Sequence, residues 1–289
     1  MRLIRYSEGL FLAKIKFMDL KEMAKKNVLV IGRVLLFCLI SAMSLAVASG
    51  MTKGLPLYES NILTVGIAFV CTIFITFLFV RWEHVKLQQI GILPGKESAR
   101  RLLTGLLAGS ALASLQPMFV LMLGHVTLYR SSSVNAVGVI TSLVLYLLVA
   151  LREEVAFRGY PLRVLDDKLG SLRAQIIVAV LFIIEHKIGG MNWFQAIAGP
   201  GMGAVFFGMA ALKTRGLALP IGLHTAWNFV QWFLGFKPEQ GVFQIRVEKG
   251  FETRVELGGW LSYVAVMMLG ICILMFWKSL CNRLTIAKA

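Results

Sequence analysis

Apolar residues along this chain fall into eight stretches, separated by short polar segments that carry most of the lysines and arginines. Most stretches reach the ~20 residues that an α-helix needs to cross the hydrocarbon core of a bilayer, and the fifth is short. The pattern predicts an all-α, polytopic integral membrane protein with about eight transmembrane helices. The eight stretches are Val28–Ser49, Ile62–Val80, Leu102–Leu123, Val134–Leu151, Ala174–His186, Trp193–Leu212, Leu217–Gly235 and Gly259–Trp277.

Composition supports a membrane protein. Of 289 residues, 57% are hydrophobic and only 16% are charged, and the mean hydropathy is +0.75. These values lie outside the range of soluble globular proteins. The formal net charge of +15 does not indicate nucleic acid, because basic residues collect in the cytoplasmic loops of membrane proteins and no soluble basic domain is present. We therefore expect the lipid bilayer, and no nucleic acid, as a partner.

The distribution of basic residues predicts the orientation of the chain. If the N-terminus is cytoplasmic, the cytoplasmic segments hold 22 Lys and Arg. These segments are 1–27, 81–101, 152–173, 213–216 and 278–289. Only 7 lie in the opposite segments 50–61, 124–133, 187–192 and 236–258. The asymmetry predicts that both termini are cytoplasmic. We expect the membrane to be the bacterial inner (cell) membrane.

The chain divides into four parts. Residues 1–27 are a basic, weakly amphipathic segment, expected to form an interfacial helix before an uncleaved first span. Residues 28–133 hold the first three spans, and 134–235 hold the spans with the polar motifs described next. Residues 236–289 hold an outer loop and the last span. The loop alternates charge, as in "VEKGFETRVELGG", and is expected to form a small amphipathic hairpin.

Polar side chains within spans form three clusters, although each ionisable group costs about 2.5–3.5 kcal/mol at mid-bilayer. Residues four apart share a helix face, so Glu154 and Arg158 are expected to pair while Glu153 points about 100° away and stays available. Each cluster alone is typical of an interfacial anchor or of an interhelical contact. Together the three can close around one wet cavity. The clusters are Glu153, Glu154 and Arg158, then Glu185 and His186 with Phe182, then His224 and Asn228.

The order EExxxR, FxxxH, HxxxN, within "EEVAFRGY", "FIIEH" and "HTAWNF", resembles the CPBP family of intramembrane proteases. That family groups the CAAX prenyl endopeptidases with bacteriocin-processing and abortive-infection proteins. The resemblance covers about residues 134–235, and every motif position is filled. It implies an intramembrane endopeptidase that cleaves a membrane-associated protein or peptide substrate with a glutamate-activated water.

The chemistry of the residues agrees with that implication. Peptide hydrolysis needs a nucleophilic water, hydrogen-bond donors for the oxyanion and a proton source for the leaving amine. A carboxylate beside a histidine can activate the water and supply the proton for the leaving amine. An imidazole and an amide on one helix face can supply the hydrogen-bond donors. The candidate catalytic residues are therefore Glu153, His186, His224 and Asn228, and the supporting residues are Glu154, Arg158 and Phe182.

Other functions stay open. Glu153, His186 and His224 would form a zinc site with one open position, giving a zinc-dependent version of the same protease. The lack of HExxH, and ligands spread over three helices, favour a mechanism without metal or cofactor. A transporter would use these groups as an ion relay, but the paired broken spans of inverted repeats are not found. A non-catalytic membrane scaffold or immunity protein would tolerate Glu153→Ala.

These assignments carry geometric expectations. The fourth helix should continue past Glu153 to about Tyr160 and end at Pro161 or the following turn. The sixth helix should kink near Pro200 and approach its neighbours through the small residues around it. The candidate catalytic side chains should converge on one polar cavity below the inner membrane surface. That cavity should be reachable from the cytoplasmic side or laterally between helices.

Overall fold

The structure, a computed structural model, describes the backbone of residues 2–132 and 134–286, and the side chains of residue 22 and of residues 25–132 and 134–277. Helices dominate it. The α-helices are α1 Arg2–Met51, α2 Leu57–Trp82, α3 Ser98–Leu121, α4 Ala136–Glu153, α5 Tyr160–Leu169, α6 Ser171–Ile188, α7 Trp193–Ala196, α8 Met202–Thr214, α9 Ala218–Phe233 and α10 Glu252–Ile286. Two π-helical segments, Glu154–Gly159 and Ile197–Gly201, join α4 to α5 and α7 to α8. The strands are β1 Val126–Arg130 and β2 Phe243–Val247.

Each of the eight apolar stretches contains helix, but six segments of the described chain are long and apolar enough to cross a membrane. The expected count of about eight is therefore not confirmed. Helix α9 has 16 residues and spans only about 24 Å, and α6 carries three charged residues in its 18. The six candidate spans are Lys25–Met51, Leu57–Trp82, Ser98–Leu121, Ala136–Leu169, Trp193–Thr214 and Glu252–Trp277.

The N-terminal segment continues directly into the first span, because α1 is one helix of 50 residues. The interfacial position expected for residues 1–27 depends on the side chains of residues 1–21, which lie outside the described residues.

The two strands correct two sequence-based expectations. The fold is not all-α, since β1 and β2 form an antiparallel pair with Val126 opposite Val247 and Arg130 opposite Phe243. The outer loop also does not fold into a hairpin on itself. Its strand pairs with the loop between α3 and α4, and the apolar side chains of β2 pack with Val120 and Val255.

The expected end of the fourth helix near Pro161 is wrong. The helical path runs 34 residues, from Ala136 through the π-helical turn to Leu169. Pro161 is tolerated because it lies in the first turn of α5, just after Gly159 leaves helical geometry with ψ −111°. The path ends at Gly170, whose φ of 81° reverses the chain into α6.

This continuation places Glu153 near the middle of the membrane-crossing path. The residue lies 17 positions after Ala136 and 16 before Leu169, about 24 Å from either end. Helix α6 runs back from Gly170 beside α5, and His186 lies about 22 Å along it from Ser171. Glu153 and His186 therefore reach the same depth.

Helices α3 and α9 make the closest approach in the bundle. A Cβ on Gly105 would overlap the carbonyl oxygen of Leu219, and a Cβ on Gly222 would overlap that of Leu102. Only glycine permits this contact. Small residues near Pro200 also allow close packing, since a Cβ on Gly201 would lie 3.0 Å from the Ile183 side chain in α6. Pro200 itself lies in the second π-helical segment.

Candidate active site

A cavity of about 650 Å³ lies at the depth of Glu153, between α3, α4, α6, α8, α9 and α10. The four candidate catalytic side chains, together with Phe182, line it. The sequence-based expectation that they converge on one cavity agrees with this geometry. Glu154 and Arg158 do not line the cavity, and both are fully buried beneath it.

His224 is held between two carboxylates. Its Nδ1 lies 2.9 Å from Oε1 of Glu154, and its Nε2 lies 3.7 Å from Oε2 of Glu153. The ring also stacks on Phe207, with centroids 4.6 Å apart and planes 12° apart. Because a carboxylate accepts hydrogen bonds, Nδ1–H donates to Glu154, and Nε2 is the nitrogen that faces the cavity. A protonated His224 can therefore donate from Nε2 to a negative oxygen.

The expected pair of Glu154 and Arg158 is confirmed, with Nη1 of Arg158 3.2 Å from Oε1 of Glu154. The guanidinium lies 4.6 Å from the centroid of the Phe182 ring and 5.9 Å from that of Phe207. One carboxylate and the negative faces of these rings balance its charge. Glu154 thus joins the buried cation to His224, a contact that the spacing of the motif alone did not predict.

His186 presents one ring nitrogen as an acceptor. Its Nδ1 lies 2.9 Å from the carbonyl oxygen of Phe182, one turn earlier in α6. A carbonyl only accepts, so Nδ1 carries the hydrogen and Nε2 of the neutral ring keeps its lone pair. The Phe182 ring lies 4.4 Å from the imidazole. FxxxH thereby fixes both the position and the tautomer of the histidine.

Sequence reasoning missed a second buried ion pair, between Arg152 and Glu185. Both terminal nitrogens of the Arg152 guanidinium, Nη1 and Nη2, donate to the Glu185 carboxylate. In the longer contact Nη2 lies 3.1 Å from Oε2. The pair ties the helix that carries Glu153 to the helix that carries His186. The only signal was the presence of two opposite charges beside motif residues in apolar surroundings, 33 positions apart.

Lys237 was also missed, because it lies in a loop rather than in a span. It lines the same cavity, and its Nζ lies 5.1 Å from the centroid of the Tyr146 ring. Burial lowers the pKa of this ammonium, although the carboxylates of Glu239 and Glu153 oppose the shift.

The zinc alternative depends on Glu153, His186 and His224. Among the residues whose side chains the structure describes, no group of three or more His, Cys, Asp or Glu is arranged to hold a metal ion. Nδ1 of His224 contacts Glu154 and Nδ1 of His186 contacts a carbonyl, which leaves Nε2 of each ring as the nitrogen that could reach a metal. The zinc site therefore stays a prediction.

The rim of the cavity lies at the ends of the helices that surround it. Its exposed members are Met191, Gln195, Pro238 and Glu256. Three of these lie in segments 187–192 and 236–258, which the count of basic residues predicts to be non-cytoplasmic. Access from the cytoplasmic side or laterally between helices stays a prediction.

These features define an α-helical membrane protein with a cavity onto which glutamate, histidine and asparagine side chains converge. Residues 135–230 match the model of a family described as type II CAAX prenyl endopeptidase Rce1-like. The chain therefore carries an Rce1-like region, which confirms the resemblance seen in the motifs. The family is one of proteases, and its match covers every candidate catalytic and supporting residue. No curated protein matches the chain.

Proposed function

We propose that this protein is an intramembrane endopeptidase that hydrolyses a peptide bond of a membrane-associated substrate with a water activated by Glu153 and His186. The observation that carries the proposal is the convergence of Glu153, His186, His224 and Asn228 on one cavity. The match of residues 135–230 to a protease family supports it.

Activation of the water follows from the two acceptors. The Glu153 carboxylate and the unprotonated Nε2 of His186 each accept one hydrogen of the same water. Its lone pair then points away from both, toward a substrate carbonyl in the cavity. As the oxygen attacks the carbonyl carbon, Glu153 takes the proton that the water loses. General-base catalysis of this kind contributes roughly 10²–10⁴ in rate.

The tetrahedral intermediate needs donors for its oxyanion. The amide NH₂ of Asn228 and the protonated Nε2 of His224 can supply two hydrogen bonds from one face of α9. Loss of one such donor typically lowers the rate by about 10²–10³. The C–N bond then breaks, and the proton held by Glu153 passes to the leaving amine. The products are a carboxylic acid and an amine, which become a carboxylate and an ammonium when the acid's proton passes to the amine. No metal takes part in the proposed steps.

The supporting residues keep this arrangement in place. Glu154 accepts from His224 and balances Arg158, while Arg152 and Glu185 hold α4 against α6. Since the reacting atoms must be aligned within a few tenths of an ångström, such positioning has large effects on rate.

The test compares cells that produce the wild-type protein with cells that produce Glu153→Gln. New protein N-termini in the membrane fraction are identified by mass spectrometry. Termini that appear with the wild type and disappear with Glu153→Gln would identify the substrate. The matched control is Glu59→Gln, at an exposed position in the first turn of α2, which should give the wild-type set. Identical sets from all three proteins would contradict the proposal.

A further inference from the structure

The helical bundle has an open end and a closed end with respect to the cavity. The open end comprises loops 52–56, 122–135, 189–192 and 234–251. The closed end comprises loops 83–97 and 215–217 and the turn at Gly170. The closed-end loops pack together, since Arg101 donates to the carbonyl of Thr214 at 2.7 Å and Gly91 lies against Arg215.

Side chains beneath the cavity block approach from the closed end. Glu154 and Arg158 have no exposed surface, and neither does Tyr160 in the next layer. Below these, the Tyr160 hydroxyl donates to Glu83 at 2.9 Å, and Glu83 also binds Arg33. A peptide cannot reach Glu153 from this end without displacing that ion pair and the packed rings around it. The open end, by contrast, presents the exposed rim residues of the cavity.

The basic residues are distributed unequally between the two ends. The chain carries 30 Lys and Arg, of which Arg33 lies within the first span and Arg152 and Arg158 lie within the site. Lys288 lies outside the described residues. Of the others, 19 lie at the closed end, counting those on the terminal parts of α1 and α10, and 7 lie at the open end. Setting the site arginines aside therefore leaves the asymmetry intact. Short loops rich in Lys and Arg stay on the cytoplasmic side, so the closed end is the cytoplasmic one.

We infer that the cavity opens on the face of the membrane opposite the cytoplasm, and that its substrates are peptide segments presented on that face. This inference rests on the proposed function. It assigns the substrates to the class of exported or membrane-anchored proteins whose cleavage site lies beyond or just within the outer leaflet. A prenylated tail in the cytoplasm would meet the closed end of the bundle.

The surroundings of the rim place the substrate segment close to the bilayer. Trp193 and Phe194 are 57% and 60% exposed at the start of α7, next to Met191 on the rim. Exposed aromatic rings of this kind belong at the interface between lipid and water. Lys237 and Glu256 place one positive and one negative charge at the opening of the cavity. A flexible polar segment beside a membrane anchor therefore fits this opening.

The test is labelling with a thiol reagent that cannot cross membranes. The four native cysteines are replaced by serine, and one cysteine is introduced as Met191→Cys, Thr253→Cys or Gln88→Cys. The first two positions are exposed at the open end, and the third is exposed at the closed end. Spheroplasts of a bacterial host producing the full chain are treated with a charged maleimide. Met191→Cys and Thr253→Cys should label in intact spheroplasts, and Gln88→Cys only after the membrane is permeabilised.

The reverse pattern, or equal labelling of both ends, would overturn the inference. Labelling does not depend on turnover. The inferred orientation can therefore be contradicted while the proposed function holds, and the proposed function can be contradicted while the orientation holds. A second measurement follows access to the cavity itself. External reagent on Met191→Cys should abolish the wild-type set of new N-termini, whereas reagent on Thr253→Cys, outside the cavity lining, should leave it unchanged. Turnover that persists with Met191→Cys fully modified would exclude access through the rim.

Discussion

Replacement of Glu154 by glutamine should destabilise the protein far more than the same change at Glu153. Glu154 is the carboxylate paired with Arg158 at 3.2 Å, and neither side chain has exposed surface. At an effective dielectric constant near 20, the Coulomb attraction between the two charges is about 5 kcal/mol, which opposes the cost of burying them. Loss of one partner from a buried pair typically costs about 3–5 kcal/mol, because the other charge stays buried without compensation. The melting temperature should fall by roughly 10 °C.

Glu153→Gln should leave the melting temperature nearly unchanged and abolish proteolysis. Glu153 faces the cavity, and its contact with His224 is longer, at 3.7 Å, so it contributes little to stability. Both variants are isosteric, so any difference between them reports on charge. Thermal unfolding in detergent, and the set of new N-termini in membranes, measure the two effects separately.

A compensating variant separates stability from chemistry. Glu154→Gln combined with Arg158→Met removes both charges of the pair, and it should recover much of the lost melting temperature. Activity should stay low, because His224 still lacks its ionised acceptor. The reasoning is refuted if Glu154→Gln melts within about 2 °C of the wild type, or if Glu153→Gln is the less stable of the two single variants.

Three further changes test other parts of the site and its scaffold. His186→Ala should abolish proteolysis in folded protein, and turnover that survives it would remove His186 from the mechanism. Exhaustive chelation should leave activity intact, whereas a loss restored specifically by zinc would favour the metal-dependent alternative. Gly222→Ala should lower the melting temperature by several degrees, because its methyl group would force α3 and α9 apart; an unchanged melting temperature would show that this contact relaxes freely.

The sequence predicted the parts of the site that depend on local spacing. EExxxR places Glu154 and Arg158 on one helix face whatever surrounds the helix, and that ion pair is present. HxxxN likewise sets His224 beside Asn228, since four residues make about one turn. Convergence of three clusters followed from the cost of leaving each of them in lipid, which makes a shared wet cavity the favourable solution.

Contacts between distant segments could not be predicted in this way. Arg152 and Glu185 are paired across two helices, and nothing in their spacing indicates which of several opposite charges would be the partner. The two strands belong to loops more than 100 residues apart along the chain, with Val126 opposite Val247. Pairing of that kind is decided by where the helix ends meet, not by the strand sequences themselves.

Two of the eight predicted spans are not among the six candidate spans, and both contribute to the site. The two apolar stretches that fail as complete spans, α6 and α9, are those that carry His186 and the pair His224 and Asn228. Helix α6 ends at Ile188, two residues beyond its histidine, so its last turn lies at the depth of Glu153. The irregular backbone that follows is tolerated where protein buries it or water reaches it. The cavity lies beside this last turn of α6 and along α9, where His224 and Asn228 line it. The cavity gives access to His186 on α6 and to His224 and Asn228 on α9, whereas the shortness of α9 and the charges of α6 are what set these helices apart from the six candidate spans.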